Sequence, residues 1–251
     1  MIKVMTFNIR MGLANDGINH WRYRKSLALA RITAFEPDLL GIQECCDDEE
    51  QGGFLKQQLA RYEFYGVRRG GNSGAAMEMA PALFIKSGFY ALERGVFWLS
   101  ETPEQAGGPN WDAAFPRTCT WLRLWHRESR RELIFLNTHF DDQPVAMIES
   151  AKVLRTWLGK HDDTPFIVTG DFNADKQSGL YRILTNDLAD AHPNDDNTFH
   201  DYGMIDKGGP IDWILVSAHF KIQSSCLDYY HENAVYPSDH YPLLATLDWK
   251  I

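Results

Sequence analysis

The stretch Pro-Phe-Ile-Val-Thr-Gly-Asp-Phe-Asn-Ala, residues 165–174, runs an apolar segment into two polar side chains, Asp171 and Asn173. A strand sends residues i and i+2 to the same face, so the carboxylate and the amide are expected to project together where the strand runs out. An acceptor-only group beside one that both donates and accepts suits the handling of one water molecule or one phosphate oxygen. The plain alternative is that the two residues cap a helix that follows.

Other segments end the same way. Ile2 to Ile9 reads as a strand that carries Asn8 near its end. A helical stretch over Trp21 to Phe35, with Leu27, Ala30, Ile32 and Ala34 read as one buried face, stops at Glu36-Pro37-Asp38. Residues 39–43 then form an apolar strand that ends at Glu44, so strand, helix and strand compose a βαβ unit. The middle third holds β-rich runs broken by Gly and Pro, a pattern that fits antiparallel pairing. One of them, Leu-Ile-Phe-Leu, ends at Asn137-Thr138-His139. A second helix over Val145 to Leu158 leads into the strand before Asp171, repeating the strand, helix, strand order. Loops 68–77 and 100–116 are the longest irregular pieces.

Toward the carboxyl terminus Asp212 opens a strand, and Ser238-Asp239-His240 precedes the last one. An antiparallel strand begins at the edge where its neighbours end, so all these polar residues are expected to share one rim, the edge at which α/β sheets place their sites. No linker or repeat divides the chain, and a single domain over 1–251 is expected.

Composition bounds the partners. The chain has 251 residues, 44% hydrophobic and 24% charged, with 14 Phe, 10 Tyr and 8 Trp, which is a globular composition and not a disordered one. A net charge of -9 argues against a protein that works by neutralising many phosphates of a long nucleic acid. No apolar run reaches about 18 residues, so no membrane insertion is expected. With no secretory h-region and no CxxC pair, Cys45, Cys46, Cys119 and Cys226 read as reduced thiols of a cytoplasmic protein. His20, His126 and His161 read as surface residues, and Trp98, Trp121, Trp125 and Trp213 as core.

The polar set supports hydrolysis assisted by a hard divalent ion, Mg²⁺ or Mn²⁺ in its place. Glu44 is the first candidate ligand, with Asn8 beside it and Asp239 as a further metal contact. Asp171 can take a proton from water, Asn173 can hold that water or a phosphate oxygen, and His240 paired with Asp212 can stabilise charge growing on phosphorus. Arg117 suits a phosphate clamp, because a planar guanidinium matches phosphate oxygens.

With these residues in order along the chain, the sequence resembles the endonuclease/exonuclease/phosphatase superfamily. The resemblance is carried by Thr-Phe-Asn-Ile around Asn8, Gly-Ile-Gln-Glu at Glu44, Asn-Thr-His at His139, Gly-Asp-Phe-Asn-Ala at Asp171 and Asn173, Ile-Asp at Asp212 and Ser-Asp-His at 239 and 240. It implies a four-layer α/β sandwich of two packed mixed β-sheets flanked by helices, and a Mg²⁺-dependent phosphoesterase. It further implies Glu44 as metal ligand, Asp171 as activator of water, Asn173 as orienter of phosphate, His240 with Asp212 as charge stabiliser, and His139 at the phosphate. The likeness is closer to small bacterial stand-alone members, through Trp-Arg-Tyr-Arg-Lys at 21–25, Phe-Trp-Leu-Ser-Glu-Thr-Pro at 97–103 and Pro-Arg-Thr-Cys-Thr-Trp at 116–121. Those members often carry Gly-Glu-x-Asn-Pro before the middle strand. This chain keeps Glu78 and Pro81 there, with Glu78 a partner for His139 or a second acid. The expected substrate is a small or short phosphorylated molecule. The alternatives are a DNA or RNA nuclease and a non-catalytic binding module; no obligate protein partner is expected.

Overall fold

A computed structural model describes residues 1–71 and 77–250, so residues 72–76 of the expected loop at 68–77 lie outside the described residues. Along the chain the strands are β1 Ile2–Asn8, β2 Leu39–Gln43, β3 Cys45–Cys46, β4 Tyr62–Tyr65, β5 Glu78–Met79, β6 Ala82–Ile85, β7 Phe89–Trp98, β8 Thr118–His126, β9 Arg131–His139, β10 Phe166–Asp171, β11 Ala189–Asp190, β12 Asp212–Val216, β13 Phe220–Leu227 and β14 Leu243–Trp249. The helices are α1 Trp21–Phe35, α2 Phe54–Gln58, α3 Pro144–Gly159 and α4 Gly179–Thr185. The first sheet runs β13-β14-β1-β2-β6-β4 and the second β11-β12-β10-β9-β8-β7. Each is built on a parallel pair, β1 with β2 and β10 with β9, made by a βαβ crossover and flanked by antiparallel strands. These are the two strand, helix, strand units read from the sequence.

Period-two alternation sorts the side chains into layers. Ile2 and Val4 of β1, Leu39 of β2, Leu133 and Phe135 of β9, Ile167 of β10 and Ile214 and Val216 of β12 fill the space between the sheets. Their neighbours Met5, Phe7, Leu40 and Ile42 pack with Trp21, Ala28 and Ile32 of α1 and Leu55 of α2. On the far side Leu136, Val168 and Leu215 pack with Ala151 and Leu154 of α3 and Leu180 and Leu184 of α4. The result is four layers: helix, sheet, sheet, helix.

Toward the ends of the central strands the inter-sheet positions turn polar. Asn137 is fully buried there; its amide donates to the Ile42 carbonyl at 2.7 Å and the Pro81 carbonyl at 2.9 Å. Its oxygen accepts from Gln43 Nε2 at 2.6 Å and Thr169 Oγ1 at 2.9 Å. Gly41 sits against Thr169 and Asn137, where an added Cβ would collide with both side chains.

The buried face of α1 differs from the expected one. Ala30 and Ala34 are exposed, and Arg24 takes the inward position between Trp21 and Leu27 and Ala28. His126 is buried against Phe89 and not at the surface, while Trp98, Trp121 and Trp125 are only half buried and Trp213 alone of the four is fully so. The three half-buried ones lie on the edge strand β7 and its neighbour β8, where Trp98 donates to the Arg69 carbonyl, Trp121 packs on Trp157 of α3 and Trp125 on Tyr90.

Asn137→Ala removes both donors and the acceptor of this bridge, leaving Gln43 with Thr6, Thr169 with the Leu136 carbonyl and the Pro81 carbonyl with the Ile42 amide as their remaining partners. It is expected to cost about 3 kcal/mol, seen as a lower urea midpoint at unchanged slope; an unshifted midpoint would show that the bridge is not structural.

Candidate active site

The polar inter-sheet positions continue into a cleft of about 610 Å³ at the rim where β1, β2, β9 and β10 end and β12 begins. The register places Asp171 opposite both His139 and Asp212. Asn8 links the two sheets, its amide nitrogen donating to Glu44 Oε1 at 3.1 Å and Asp171 Oδ2 at 2.9 Å. The Asn8 oxygen accepts from the Arg10 amide at 2.9 Å.

Three site residues lie just past strand ends in the left-handed region: Arg10 at φ 54°, Glu44 at φ 57° and Asn173 at φ 50°. Left-handed φ is uncommon for residues with a Cβ and collects at functional sites. It redirects each side chain away from where strand alternation would send it. Glu44, one residue beyond the inward Gln43, is thereby turned into the cleft, and its Oε2 accepts from the Met11 amide at 2.9 Å. Asn173 reaches the site by this turn and not as a strand neighbour of Asp171; its backbone N–H donates to Asp171 Oδ1 at 3.0 Å. Neither residue caps α4, whose cap is Ser178.

Two imidazoles flank Asp171. His240 Nδ1 lies 2.8 Å from Asp212 Oδ2, and its Nε2 lies 3.8 Å from Asp171 Oδ2. His139 Nδ1 lies 2.7 Å from Glu78 Oε1, and its Nε2 lies 3.6 Å from the same Asp171 oxygen. Burial lowers the affinity of His240 for a proton, but Asp212, Asp171 and Asp239 outweigh it and raise its pKa to about 10. For Glu78, burial alone would raise the pKa; His139, Arg117 and Arg69 instead bring it to about 2. Glu78 is thus the ionised partner of His139. The Asn173 amide nitrogen donates to the Phe140 carbonyl at 2.9 Å and meets His139 Nε2 at 3.2 Å, which leaves its oxygen free of both contacts.

Arg117, expected as a phosphate clamp, lines the cleft but is buried and committed: its Nε bonds Asp141 Oδ2 at 3.3 Å and its Nη1 lies 3.5 Å from Glu78. Arg69, which strand-end reasoning did not reach because it lies in a loop, pairs with Glu78 as well. The exposed Phe115 ring packs on Arg69, 4.4 Å from guanidinium to centroid. Asp142 and Asp201 complete the rim.

Asp239 is buried beside Glu44. Burial and the Glu44 charge push its pKa up, against the opposing pull of His240 and Arg10. Arg10 and Arg24 were missed by the sequence reading, although Arg10 follows Asn8 at i+2. Arg24 is fully buried and donates to the carbonyls of Asn19, Ile9, Pro237 and Arg10, stitching the Asn8 loop to the loop that carries Asp239 and His240. Asp171, Asp212 and His240 also bring one ligand atom each within 4.8 Å of one another.

Residues 5–240 match the model of the Endonuclease/Exonuclease/phosphatase family. A solved endonuclease/exonuclease/phosphatase from Bacteroides vulgatus superposes with a TM-score of 0.91 at 31% identity, covering 99% of both chains. A mannosyl-6-phosphatase of Bacteroides thetaiotaomicron superposes at 0.88 with 28% identity, covering 99% of this chain and 100% of that one. An uncharacterised protein, L388, of Acanthamoeba polyphaga mimivirus is 26% identical over 203 residues, 75% of this chain and 73% of its own.

The raised pKa of His240 ties stability to pH. Its folded value lies above the ordinary 6.5, so the stabilisation is fully present below about pH 6.5, fades as pH rises and is lost above about pH 10. Melting wild type and His240→Gln in parallel from pH 6 to 10 is expected to show their difference shrinking with pH; a constant difference would contradict the pairing with Asp212.

Proposed function

The chain belongs to the endonuclease/exonuclease/phosphatase family, and we propose that it hydrolyses a phosphate ester of a small hydroxylated molecule with the help of Mg²⁺, or of Mn²⁺ in its place. The observation that carries this reading is the Asp171 carboxylate, held by Asn8 and Asn173 and flanked at 3.6 and 3.8 Å by two imidazoles that are each backed by a carboxylate.

Glu44 and Asp239 would hold the ion, with Asn8 beside them. They fit it: both are buried or nearly so, both offer oxygen only, and their mutual repulsion is what a bound cation relieves. The trio Asp171, Asp212 and His240 fits less well, because Asp212 already occupies His240 Nδ1. When bound, a divalent ion supplies Lewis-acid stabilisation of the phosphoryl oxygens.

The remaining work falls to side chains. Asp171 accepts the proton of the attacking water, its geometry fixed by donors on both oxygens. The free oxygen of Asn173 accepts from that water and aims it. His240, protonated at neutral pH, turns Nε2–H toward charge growing on the phosphoryl group, and Asp212, accepting from Nδ1–H, fixes the orientation of the ring. Glu78 fixes the His139 ring so that its Nε2 meets the Asn173 amide, while Arg69 and Arg117 contribute positive potential at that end of the cleft.

Substrate size follows from the rim. Asp142 and Asp201 would repel the flanking phosphates of a polynucleotide, yet they accept hydrogen bonds from hydroxyl groups. The likeness to a mannosyl-6-phosphatase at 28% identity supports a sugar phosphate.

Purified protein is expected to release inorganic phosphate from hexose 6-phosphates only after Mg²⁺ or Mn²⁺ is added, and Asp171→Ala to lower kcat about a thousandfold. Faster cleavage of labelled oligonucleotides than of any monoester would favour a nuclease. Binding of ion and phosphate without turnover would favour a binding module, and full activity in excess chelator would remove the ion from the mechanism.

A further inference from the structure

A chain of contacts outside the water-handling residues ends at the proposed ion ligands. The Tyr202 hydroxyl donates to Asp16 Oδ2 at 2.9 Å. Asp16 in turn accepts from Arg10 Nε at 3.2 Å and from Arg10 Nη2 at 3.3 Å. The same guanidinium lies 3.6 Å from Asp239 and 3.9 Å from Glu44. Arg10 is therefore bonded to Asp16 and stands off, within reach, from the two carboxylates of the cleft.

We infer that Tyr202 and Asp16 form a tether that holds Arg10 as a fixed counter-cation beside the divalent-ion site, so that ion affinity depends on where this guanidinium is kept. The inference rests on the reading of Glu44 and Asp239 as ion ligands. Charge explains why such a device is needed. Two neighbouring carboxylates repel, and a monovalent cation close by reduces that repulsion in the absence of the ion. A guanidinium allowed to close on them would instead compete for the same oxygens. Asp16 prevents the closure by taking Nε and Nη2 in a fork. Burial opposes ionisation of Asp16, but its bonds to Arg10 and Tyr202 outweigh it and keep the carboxylate charged.

The tether also reaches the loop that forms one wall of the cleft. Asp201, Tyr202 and Gly203 take successive left-handed conformations at φ 44°, 55° and 81°. Two non-glycine residues in that region persist only where their surroundings hold them. Here the His200 and Asp201 amides donate to the Asp239 carbonyl at 2.9 and 3.2 Å, and the Tyr202 hydroxyl fixes the far side. Arg10, Asp16 and Tyr202 are positioning residues: they act through Glu44 and Asp239.

Ion binding by the full-length protein, read as loss of the free Mn²⁺ electron paramagnetic resonance signal with Mg²⁺ as competitor, tests this without turnover. Arg10→Gln removes the counter-cation and is expected to tighten Mn²⁺ binding about tenfold, the scale of one screened charge interaction. Asp16→Asn frees the guanidinium to compete and is expected to weaken binding several-fold. Tyr202→Phe, which removes one hydroxyl and no charge, is expected to weaken it less. Opposite signs for Arg10→Gln and Asp16→Asn follow from charge alone, so the signature of a tethered cation is that the charge-neutral Tyr202→Phe weakens binding as well and loses that effect once Arg10→Gln is present. Changes of the same sign, or none, would overturn it as a merely structural cluster. A wild type that binds no Mn²⁺ at millimolar concentration would instead remove the ion site and the inference with it.

Discussion

The buried amide of Asn137 is the constraint on which the site depends. It spans the two sheets where their central strands end, its nitrogen donating to the Ile42 and Pro81 carbonyls and its oxygen accepting from Gln43 Nε2 and Thr169 Oγ1. Apolar packing between sheets is non-directional and permits sliding; a buried amide with named partners does not, because every displaced contact leaves an unsatisfied group in a low-dielectric layer. The catalytic geometry asks for such a lock. Asn8 and Glu44 come from one sheet and Asp171, His139 and Asp212 from the other, so a small shear between them would separate the donor on Asn8 from Asp171. Gly41 shows how close the bridge has been drawn, since no side chain fits between it and Thr169.

Much of this arrangement was legible in the sequence because it obeys one rule. Ile2, Val4, Thr6 and Asn8 share a face, as do Leu39, Gly41 and Gln43, Leu133, Phe135, Asn137 and His139, and Ile167, Thr169 and Asp171. Each strand passes from apolar to polar to reactive along a single line of alternate residues. The lines converge because Asp171 pairs in register with His139 and with Asp212. The two βαβ units and the gathering of these polar residues on one rim followed from that pattern; the four-layer sandwich was expected from the family resemblance.

What escaped it escaped for physical reasons. Left-handed residues break alternation, so the arrival of Glu44 and Asn173 in the cleft owes nothing to strand parity, and Arg10 gave no signal at all. The apolar face expected for α1 took in Ala30 and Ala34 and left out Arg24; carbonyl acceptors from the β1–α1 connection and from Pro237 draw Arg24 inward instead. Local periodicity counts side-chain polarity and cannot see unsatisfied backbone oxygens brought in by tertiary structure. The pairing of Arg69 with Glu78 was likewise invisible, because it depends on the antiparallel bridge of Arg68 with Met79, by which the Arg69 amide donates to the Glu78 carbonyl at 2.9 Å.

The two carboxylate–imidazole pairs are similar in geometry and different in setting, and the difference assigns them different work. Glu78 is shared among His139, Arg69 and Arg117, so its charge is largely spent on guanidinium groups. Asp212 carries no arginine; His240 Nδ1 is its partner, and the other Asp212 oxygen is buried without a hydrogen bond. An undivided carboxylate raises the proton affinity of its imidazole more than a divided one does. His240 is therefore the imidazole whose carboxylate partner is undivided, and His139 the one whose Nε2 meets the Asn173 amide at 3.2 Å. The net charge of -9 extends into the cleft, where Glu44, Glu78, Asp142, Asp171, Asp201 and Asp239 outnumber Arg10, Arg69, Arg117 and His240. On the proposed reading it is therefore a bound divalent ion, and not a surplus of protein cations, that would make this cleft receptive to an anionic phosphoryl group.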